Sequence, residues 1–492
     1  MMKLSQLAKA AAPYVISLSE DCQITSVSAD SRQRTEGGLF FCIHGTQTDG
    51  HKHAREAVRN GAIALMVSEL QPDISVPQLQ VSNGRAAMAL IARAFYGFAD
   101  EQMKLVGITG TKGKTTTSYL VKAVLEHSGF KCGLIGTTGN MIGKQWTNST
   151  LTTPDPVELH RTLRMMADAG CDYVVMEVSA HALAMKRLEG LVFEAGCFTN
   201  LSQDHLDFFP TMDDYFQAKK SFFIEGSIKN AAISMDDARG MELLESIQVP
   251  RISYGIVLNA DIFARDIDIH EDGVSFSLVL WNERSYPVKL RLMGMFNIYN
   301  ALAAATVCLC LGAEPEVICP ALESVVSVPG RAEVLDTHTA YKVILDYSHS
   351  PDAMENILSA VREFTRGRII VVFGCGGDRD QAKRPVMGAI AGKLADISIL
   401  TSDNPRNEDP MAILHSIEKG IKSTEGSYEV IENRREAIHR ALQIAKEGDV
   451  VLLAGKGHET YQEISGVKRP FSEKQIVQEL LVNMQGGGTE HA

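Results

Sequence analysis

The run LVGITGTKGKTTT, residues 105–117, sets the architecture expected for the whole chain. An apolar, strand-like stretch breaks into a glycine-rich turn, and the turn continues into a helical pattern. Gly107, Gly110 and Gly113 let the backbone approach a bound group, and the N–H groups that open the next helix carry the positive end of its dipole. The pattern predicts a cradle for a polyphosphate.

The residues that follow these glycines indicate which phosphate compound binds. Lys114 would reach the terminal phosphates, and the Thr115 hydroxyl would contact Mg²⁺. The strict phosphate-loop spacing is not met, because Ile108 occupies the place of the first glycine. A glycine-rich loop without a nucleotide is the alternative, but a strand, a Gly-Lys-Thr and a helix in register favour an ATP site.

Length and composition restrict the class of protein. A chain of 492 residues is too long for one core and predicts about three domains. The net charge of -12 argues against nucleic acid or an anionic membrane as a partner. The nine cysteines form no paired framework, and no apolar run is long enough to span a bilayer. These features predict a cytoplasmic protein that binds neither nucleic acid nor membrane.

The pattern of strands and helices predicts an α/β fold with three domains. Residues 1–101 alternate short strands at 38–43 and 62–67 with helical stretches at 53–60 and 85–97, as in a small α/β domain. Residues 102–329 form the central domain, a P-loop ATPase-like unit with a mostly parallel sheet. A turn at 328–331 ends it, and residues 330–492 repeat the strand, glycine loop and helix pattern of a Rossmann-like domain.

Polar side chains follow two buried strands of the central segment. Glu177 ends the strand-like run 172–179, and a carboxylate there suits Mg²⁺. Asn200, Asp204 and His205 follow the next strand, where nucleotide, metal or substrate could bind. Lys219 and its neighbour at 220 lie on an aromatic-rich helical stretch, and spacing alone predicts that both lie at the surface.

Three strands of the last segment also end in charged loops, which a parallel sheet would bring to one crevice. The glycines at 374, 376 and 377 do not follow the order of a dinucleotide fingerprint, which argues against a nicotinamide cofactor. Arg379, Arg406, Asp403 and Glu459 supply both signs of charge. A crevice of this kind suits a zwitterionic amino acid better than a simple acid.

Several motifs in a fixed order support a family resemblance that covers nearly the whole chain. They are GTKGKTT (110–116), TTP (152–154), EVSAH (177–181) with Arg187, TNLSQDHLD (199–207), AK (218–219), Asn297 with Asn300, DYSH (346–349), GGDRD (376–380), DNPR (403–406) and GKGHE (455–459). With these motifs the chain resembles the Mur ligases, the ATP-dependent amino-acid-adding enzymes of peptidoglycan synthesis.

The resemblance implies an activity and its partners. It implies an ATP-dependent, ADP-forming amide ligase that adds meso-diaminopimelate to the D-glutamate of UDP-N-acetylmuramoyl-L-alanyl-D-glutamate through an acyl phosphate. The three domains would bind the UDP-sugar, ATP and the amino acid in that order along the chain. ATP and Mg²⁺ are the implied cofactors, and the implied state is a monomer.

The resemblance also implies roles for individual residues. The implied catalytic residues are Lys114, Glu177, His205, Lys219 and His349. ATP would contact Gly110, Thr111, Lys112, Gly113, Lys114, Thr115, Thr116, Asn297 and Arg331. Mg²⁺ would be held by Thr115, Glu177, His205 and a carbamylated Lys219. The UDP-muramoyl dipeptide would contact Ser31, Thr152, Thr153, Ser179 and Arg187. Diaminopimelate would contact Arg379, Asp403, Asn404, Arg406, Gly455 and Glu459.

The DNPR motif at 403–406 is the family's usual mark of diaminopimelate rather than lysine. Three alternatives stay open at this point. One is a lysine-adding ligase of the same family, and another is a related ligase that acts on folate or another glutamyl acceptor. The third is a non-catalytic nucleotide-binding module, which amine-dependent ATP hydrolysis would exclude.

Overall fold

A computed structural model describes residues 1–45, 48–149, 151–256 and 260–486. Within these ranges, each of the three large sheets lies inside one of the three segments expected from the sequence. The prediction of an α/β fold is therefore confirmed. The boundaries at 101/102 and 329/330 stay a prediction.

The first segment is built on a five-stranded sheet. Its elements are β1 (Met2–Lys3), α1 (Leu4–Ala10), β2 (Val15–Leu18), β3 (Gln23–Ile24), β4 (Ser26–Ser28), β5 (Gly38–Phe41), α2 (Ala54–Arg59), β6 (Ala62–Val67), β7 (Gln78–Val81) and α3 (Gly84–Phe95). The strand order is β2-β7-β6-β5-β4, and β1 pairs separately with β3. The strand expected at 38–43 ends early, at Phe41, and a short 3₁₀ turn precedes α2, capped by Asp49.

The central segment forms an eleven-stranded sheet in the described residues. Its elements are β8 (Lys104–Thr109), α4 (Lys114–His127), β9 (Cys132–Gly136), β10 (Gly139–Ile142), β11 (Gln145–Thr147), α5 (Pro156–Asp168), β12 (Tyr173–Glu177), α6 (Ala180–Ala184), β13 (Ala195–Phe198), α7 (Met212–Ile224), β14 (Ala231–Ser234), α8 (Ala238–Ser246), β15 (Arg251–Gly255), β16 (Ile262–His270), β17 (Gly273–Val279), β18 (Ser285–Leu290), α9 (Met295–Cys310) and α10 (Pro315–Ser324).

The order of this sheet is β11-β10-β9-β12-β8-β13-β14-β15-β16-β17-β18. The strands from β9 to β16 in that order are parallel, and the hairpins at both edges are antiparallel. The carboxyl ends of β8, β12 and β13 therefore meet at one edge, where parallel sheets bind ligands. Helix α4 packs on this sheet through a buried stripe that includes Leu120 and Val124. Gly129, with a φ of +89°, follows the end of the helix, as is common after helix C-termini.

The third segment forms a six-stranded sheet. Its elements are β19 (Glu333–Leu335), β20 (Lys342–Asp346), α11 (Pro351–Phe364), β21 (Ile369–Phe373), α12 (Lys383–Leu394), β22 (Ile397–Leu400), α13 (Pro410–Ile421), β23 (Ser427–Val430), α14 (Arg434–Ile444), β24 (Val450–Ala454), β25 (Tyr461–Ile464), β26 (Val467–Pro470) and α15 (Glu473–Gly486). The order is β19-β20-β24-β21-β22-β23, with β19 antiparallel to β20 and the other pairs parallel. The strand ends that carry the charged loops thus lie side by side.

None of the helices in the described ranges has both the length and the apolar character needed to cross a bilayer.

One buried histidine makes the stability of the fold depend on pH. His160 on α5 is 1% exposed, and burial lowers its pKa from 6.5 to about 3. Between these two pH values His160 binds a proton in the unfolded chain but not in the folded chain. The free energy of unfolding should therefore fall as the pH drops from 6.5 towards 3, by up to about 5 kcal/mol.

We expect His160→Leu to remove most of this pH dependence, because leucine cannot take up the proton in the unfolded state. Urea denaturation midpoints at pH 7 and pH 4.5 would measure the effect. His127→Leu, at an exposed histidine at the end of α4, is the matched control and should behave like the unmodified chain. An equal loss of stability at low pH in all three proteins would contradict the prediction.

Candidate active site

The glycine-rich loop after β8 has the geometry that a phosphate cradle requires. Gly110 has φ +145° and Gly113 has φ +85°, conformations that residues with side chains rarely adopt. A Cβ atom on Gly110 would lie 1.9 Å from Thr199 Oγ1, and one on Gly113 would lie 2.4 Å from Asn300 Oδ1. Glycine is therefore needed at both positions for the loop to fold against β13 and α9.

Residues after β13 hold this loop in place. Asn200 Oδ1 accepts a hydrogen bond from Lys112 N at 2.9 Å, and Thr199 Oγ1 donates to Lys112 O at 2.6 Å. The Thr111 hydroxyl lies 3.0 Å from Ser202 N, from which it accepts a hydrogen bond. The cluster that the sequence placed after β13 therefore includes residues that support the loop.

The Lys114 side chain folds back onto the phosphate loop. Its Nζ donates to the carbonyl oxygens of Gly110 and Thr111, each at 2.9 Å. Burial lowers the pKa of Lys114, and the nearby carboxylate of Glu177 opposes that shift. An ammonium group at the N-terminus of α4 is placed to contact an anion that enters the loop.

Glu177 ends β12 beside the loop and is 1% exposed. Its Oε1 accepts a hydrogen bond from Thr137 N at 3.0 Å, and its Oε2 accepts one from Thr137 Oγ1 at 2.9 Å. Thr137 follows β9, the strand that neighbours β12. The turn after β9 therefore fixes the orientation of the carboxylate.

A cavity of about 650 Å³ lies in front of the loop, between the central sheet and the third segment. Most of the predicted ATP contacts line it, namely Thr111, Lys112, Gly113, Lys114, Thr115, Thr116 and Arg331. Gly110 does not line this cavity, but its carbonyl oxygen accepts a hydrogen bond from Lys114. Asn297 lies on α9 and does not line the cavity; its Nδ2 donates to Met293 O, and its Oδ1 accepts from Asn300 Nδ2.

Arg331 joins the linker after α10 to the phosphate loop. Its Nη2 donates to Thr115 Oγ1 at 3.0 Å, and its guanidinium lies 4.9 Å from the centre of the Tyr347 ring. Lys112 makes a second link, because its Nζ lies 3.5 Å from Asp352 Oδ2 on α11. The phosphate loop is thus in direct contact with the third segment.

The oxygen and nitrogen ligands in this cavity suit Mg²⁺, although they would surround the ion only in part. The Thr115 hydroxyl and the carboxylates of Glu177 and Asp204 line it, and oxygen ligands are those that Mg²⁺ prefers. His205 lines it too; its side chain is partly exposed, but desolvation by the surrounding protein lowers its pKa, which favours the neutral ring. Because Mg²⁺ in nucleotide sites keeps water and phosphate ligands, an incomplete protein cage fits the ion.

Among the His, Cys, Asp and Glu side chains of the described residues, only those of His44, Asp49 and His51 place three ligand atoms within 4.8 Å of one another. They lie in the first segment, away from the phosphate loop. His51 Nδ1 donates to Asp49 Oδ1 at 2.7 Å, and its Nε2 accepts from Ser68 N at 3.1 Å. Both ring nitrogens of His51 are therefore occupied, and this cluster is a hydrogen-bond network.

Lys219 lies beneath the phosphate loop, so the expectation from spacing that it is a surface lysine is wrong. It is 1% exposed, its Nζ donates to Gly110 O at 2.8 Å, and it lies 4.5 Å from the centre of the Tyr215 ring. Among the described residues no carboxylate forms an ion pair with it, whereas Lys220 pairs with Glu242 at 3.2 Å. Burial and the nearby Lys114 hold the pKa of Lys219 well below its usual value.

A second cavity, of about 700 Å³, opens between the central segment and the ends of β20, β21, β22 and β24. All six residues predicted to contact the amino acid line it: Arg379, Asp403, Asn404, Arg406, Gly455 and Glu459. The convergence expected of parallel strand ends is therefore found. The two cavities share six wall residues: Asp204, His205, Tyr347, His349, Ser350 and Asp352.

A buried lysine organises the acidic side of the second cavity. Lys456 is fully buried, and its Nζ donates to Asn404 Oδ1 and to Glu459 Oε2, each at 3.1 Å. Asn404 Nδ2 donates to the same Glu459 oxygen at 2.9 Å. Burial opposes ionisation of Asp403, but Lys456 and Arg434 hold its pKa below the usual value. This wall presents carboxylates, the groups that would bind an ammonium.

Two arginines supply the opposite charge. Arg406 has φ +50°, and its Nη1 donates to Gly377 O at 2.7 Å while Glu463 Oε2 lies 3.5 Å from its Nε. Arg379 is exposed, and its Nη1 donates to Asp378 O at 3.2 Å. Guanidinium groups of this kind can bind a carboxylate through two parallel hydrogen bonds.

His349 stands where the two cavities meet. Its Nδ1 lies 2.8 Å from Tyr347 O, and because a carbonyl oxygen only accepts, Nδ1 carries the proton and Nε2 keeps its lone pair in the neutral ring. The His349 side chain is exposed at the cavity, but desolvation by the surrounding protein, together with the nearby Lys383, lowers its pKa. The ring is therefore neutral near pH 7 and can accept a proton.

The residues predicted to hold the UDP-muramoyl dipeptide divide into two groups. Thr152 and Ser179 line the first cavity, while Thr153 Oγ1 donates to Glu177 O at 2.7 Å and Arg187 Nη1 donates to Thr153 O at 2.8 Å. Ser31 lies in the first segment, donates to Glu56 Oε2 at 2.6 Å, and lines neither of these two cavities. Four of the five predicted contacts are thus grouped beside Glu177.

Sequence reasoning missed three supporting residues. Thr137 holds the Glu177 carboxylate, Lys456 orders the second cavity, and His458 reaches from the third segment to Thr137 O at 3.1 Å. Lys456 and His458 belong to the GKGHE motif, so their place in it was a signal that could have been followed. Nothing in the local sequence marks Thr137.

A phosphate loop in one cavity, next to a second cavity lined by both signs of charge, is the arrangement expected of an ATP-dependent amide ligase. Family models match three parts of the chain: the Mur ligase family catalytic domain at residues 23–96, the Mur ligase middle domain at 108–308, and the Mur ligase glutamate ligase domain at 330–457. The chain belongs to the Mur ligase family.

Curated relatives match over nearly the full length. A UDP-N-acetylmuramoyl-L-alanyl-D-glutamate--2,6-diaminopimelate ligase of Clostridium botulinum is 43% identical over 93% of this chain and 95% of its own length. The ligase with the same name from Geobacillus thermodenitrificans is 41% identical over 96% of this chain and 98% of its own.

Solved structures share the fold. A structure with the same ligase name has 32% identity and a TM-score of 0.68, and covers 95% of this chain and 97% of its own. The MurF ligase of Thermotoga maritima in complex with ADP has a TM-score of 0.63 over 94% of this chain and 98% of its own, but at 19% identity it shows the fold alone. The predicted family and three-domain architecture are confirmed.

Proposed function

We propose that this enzyme joins meso-diaminopimelate to the D-glutamate carboxylate of UDP-N-acetylmuramoyl-L-alanyl-D-glutamate, with conversion of ATP to ADP and phosphate. The observation that carries the proposal is the shared wall of the two cavities, which places a phosphate loop and a cavity lined by both signs of charge on either side of His349. The full-length relatives that bear this ligase name support the choice of substrates.

The first chemical step activates an inert acid. A carboxylate oxygen of the D-glutamate attacks the γ-phosphorus, the bond from that phosphorus to the bridging oxygen breaks, and ADP leaves. Lys114 and the N-terminus of α4 would balance the charge on the phosphates, which is what phosphoryl transfer chiefly needs. Thr152, Ser179 and Arg187 would hold the acceptor beside Glu177 so that its carboxylate faces the loop.

The residues that would hold Mg²⁺ are Thr115, Glu177, His205 and Lys219 as its carbamate. When bound, the ion would neutralise phosphate charge and polarise the transferred group. Carbamylation would turn the buried amine into a carboxylate-like anion. The low pKa of Lys219 supports this modification, because only a neutral amine attacks carbon dioxide.

The second step forms the amide. The neutral amine of the diamino acid attacks the acyl carbon, the bond from that carbon to the phosphate oxygen breaks, and phosphate leaves. His349 would take the proton of the attacking amine on Nε2, because its Nδ1 already donates to Tyr347 O. Asp403 and Glu459 would bind the ammonium group that does not react, and Arg406 would bind the distal carboxylate.

The proposal is tested with purified protein, ATP, Mg²⁺ and the UDP-muramoyl dipeptide, offered meso-diaminopimelate and L-lysine in parallel. We expect ADP and phosphate release that depends on diaminopimelate, and a nucleotide-sugar product heavier by one diaminopimelyl residue. Release that depends on lysine instead would identify the lysine-adding alternative. ATP binding with neither amine consumed would overturn the proposed function.

A further inference from the structure

One hydrogen bond joins the loop beside the second cavity to the turn beside Glu177, where the acyl phosphate would form. His458 belongs to the loop after β24, next to Glu459, and its Nε2 lies 3.1 Å from Thr137 O. The two residues are 321 positions apart and lie in the third and central segments. A carbonyl oxygen can only accept a hydrogen bond. The proton of the neutral His458 ring therefore lies on Nε2, which donates a hydrogen bond to Thr137 O.

Thr137 carries this contact onward to Glu177. The same residue that accepts from His458 gives both its backbone N–H and its hydroxyl to the two oxygens of the Glu177 carboxylate. A shift of the peptide at Thr137 would therefore turn that carboxylate. A continuous path of hydrogen bonds thus runs from the loop that bears Glu459 to the carboxylate beside the phosphate loop.

The surroundings of His458 leave little freedom for this contact. A Cβ atom on Gly330 would lie 2.2 Å from His458 N, so the linker passes directly against the loop. The centres of the Tyr347 and His458 rings lie 5.1 Å apart, and the guanidinium of Arg331 lies 4.9 Å from the centre of the same Tyr347 ring. Burial lowers the pKa of His458 to about 4, so the ring is neutral in the physiological range.

We propose that His458 is a positioning residue. By holding the turn at Thr137 against the loop after β24, it fixes the orientation of the Glu177 carboxylate and so aligns the two reacting centres. The inference rests on the proposed function and adds to it a residue on the amino-acid side that governs the phosphoryl-transfer side. Loss of the donor should slow acyl phosphate formation even when no amino acid is present.

The test compares two variants with a control. His458→Phe keeps an aromatic ring but removes the donor, and His458→Gln keeps an N–H donor at a similar reach. Lys342→Met is the matched control, because Lys342 Nζ donates to Glu271 O at 3.0 Å and so joins the same two segments away from both cavities. Thermal unfolding would establish that all three variants fold.

The first measurement traps the acyl phosphate with hydroxylamine in the presence of ATP, Mg²⁺ and the UDP-muramoyl dipeptide, without diaminopimelate. We expect His458→Phe to form the hydroxamate about tenfold more slowly, which corresponds to about 1.4 kcal/mol. His458→Gln should stay within about threefold of the unmodified enzyme, because it keeps the hydrogen bond. Lys342→Met should match the unmodified enzyme. In the complete reaction, kcat should fall while KM for diaminopimelate changes by less than about twofold.

The second measurement needs neither metal nor nucleotide. Hydrogen–deuterium exchange of the segment 133–140 should be about fivefold faster in His458→Phe than in the unmodified enzyme, the Gln variant and the Lys342 variant. Unchanged exchange and trapping in His458→Phe would overturn the inference, as would a raised KM for diaminopimelate with kcat unchanged. If the unmodified enzyme makes neither hydroxamate nor tripeptide, the proposed function fails, while the exchange result still decides whether His458 holds Thr137.

Discussion

Replacing Arg406 with alanine is expected to lower the preference of the enzyme for meso-diaminopimelate over L-lysine at least 100-fold, from a starting ratio of roughly 10⁴. The two amino acids differ by the distal carboxylate, and Arg406 is a guanidinium held in the second cavity by Gly377 O and Glu463. A lysine substrate would leave this guanidinium without its ligand, so the unmodified site should reject lysine. Without Arg406 that source of rejection is gone.

The measurement is the ratio of kcat/KM for the two amino acids, in Arg406→Ala and in the unmodified enzyme. Arg362→Ala is the control, because Arg362 is an exposed arginine of α11 in the same segment that pairs with Asp396 at 2.6 Å. It should leave the ratio unchanged. An unchanged ratio in Arg406→Ala would show that another residue recognises the distal carboxylate.

Replacing Lys219 with methionine is expected to reduce kcat about 10³-fold, as the removal of a group that stabilises transferred charge does in other enzymes. Methionine fills the buried space but cannot be carbamylated. It also loses the hydrogen bond to Gly110 O, which is 2.8 Å long. Both losses act on the phosphate loop, so the effect should appear in acyl phosphate formation.

Lys220→Met is the matched control for this prediction. Lys220 is the next residue of α7 and pairs with Glu242, and its loss should change kcat by less than about twofold, as for other ion pairs near the surface. Intact-protein mass spectra of the unmodified enzyme, taken with and without bicarbonate, would show whether Lys219 gains one carboxyl group. Equal activity of the two variants would refute a catalytic role for Lys219.

The phosphate loop could be predicted because its determinants are contiguous. A strand, two glycines with positive φ, a lysine and a helix follow one another between residues 105 and 127, and the structure places them as expected. The second cavity could be predicted in part, because the ends of parallel strands must meet at one edge. Arg379, Asp403 and Glu459 follow three different strands, and the sheet order brings them together.

The supporting contacts could not be predicted in this way. Lys219 has the spacing of a surface lysine, and only the packing of α7 beneath the phosphate loop buries it. Thr137 lies 40 residues from Glu177 and 321 residues from His458, and no local pattern encodes such pairs. The roles given to the individual site residues stay predictions until the variants are measured.

The six residues predicted to contact the amino acid all come from one continuous stretch, residues 379–459, whereas the phosphate loop and Glu177 belong to the central sheet. We therefore expect that the choice of amino acid can be exchanged without changing the residues that activate the acid. A related ligase that adds a different amino acid should accept a transplant of this stretch and inherit the new preference, provided that the graft keeps the histidine that meets Thr137.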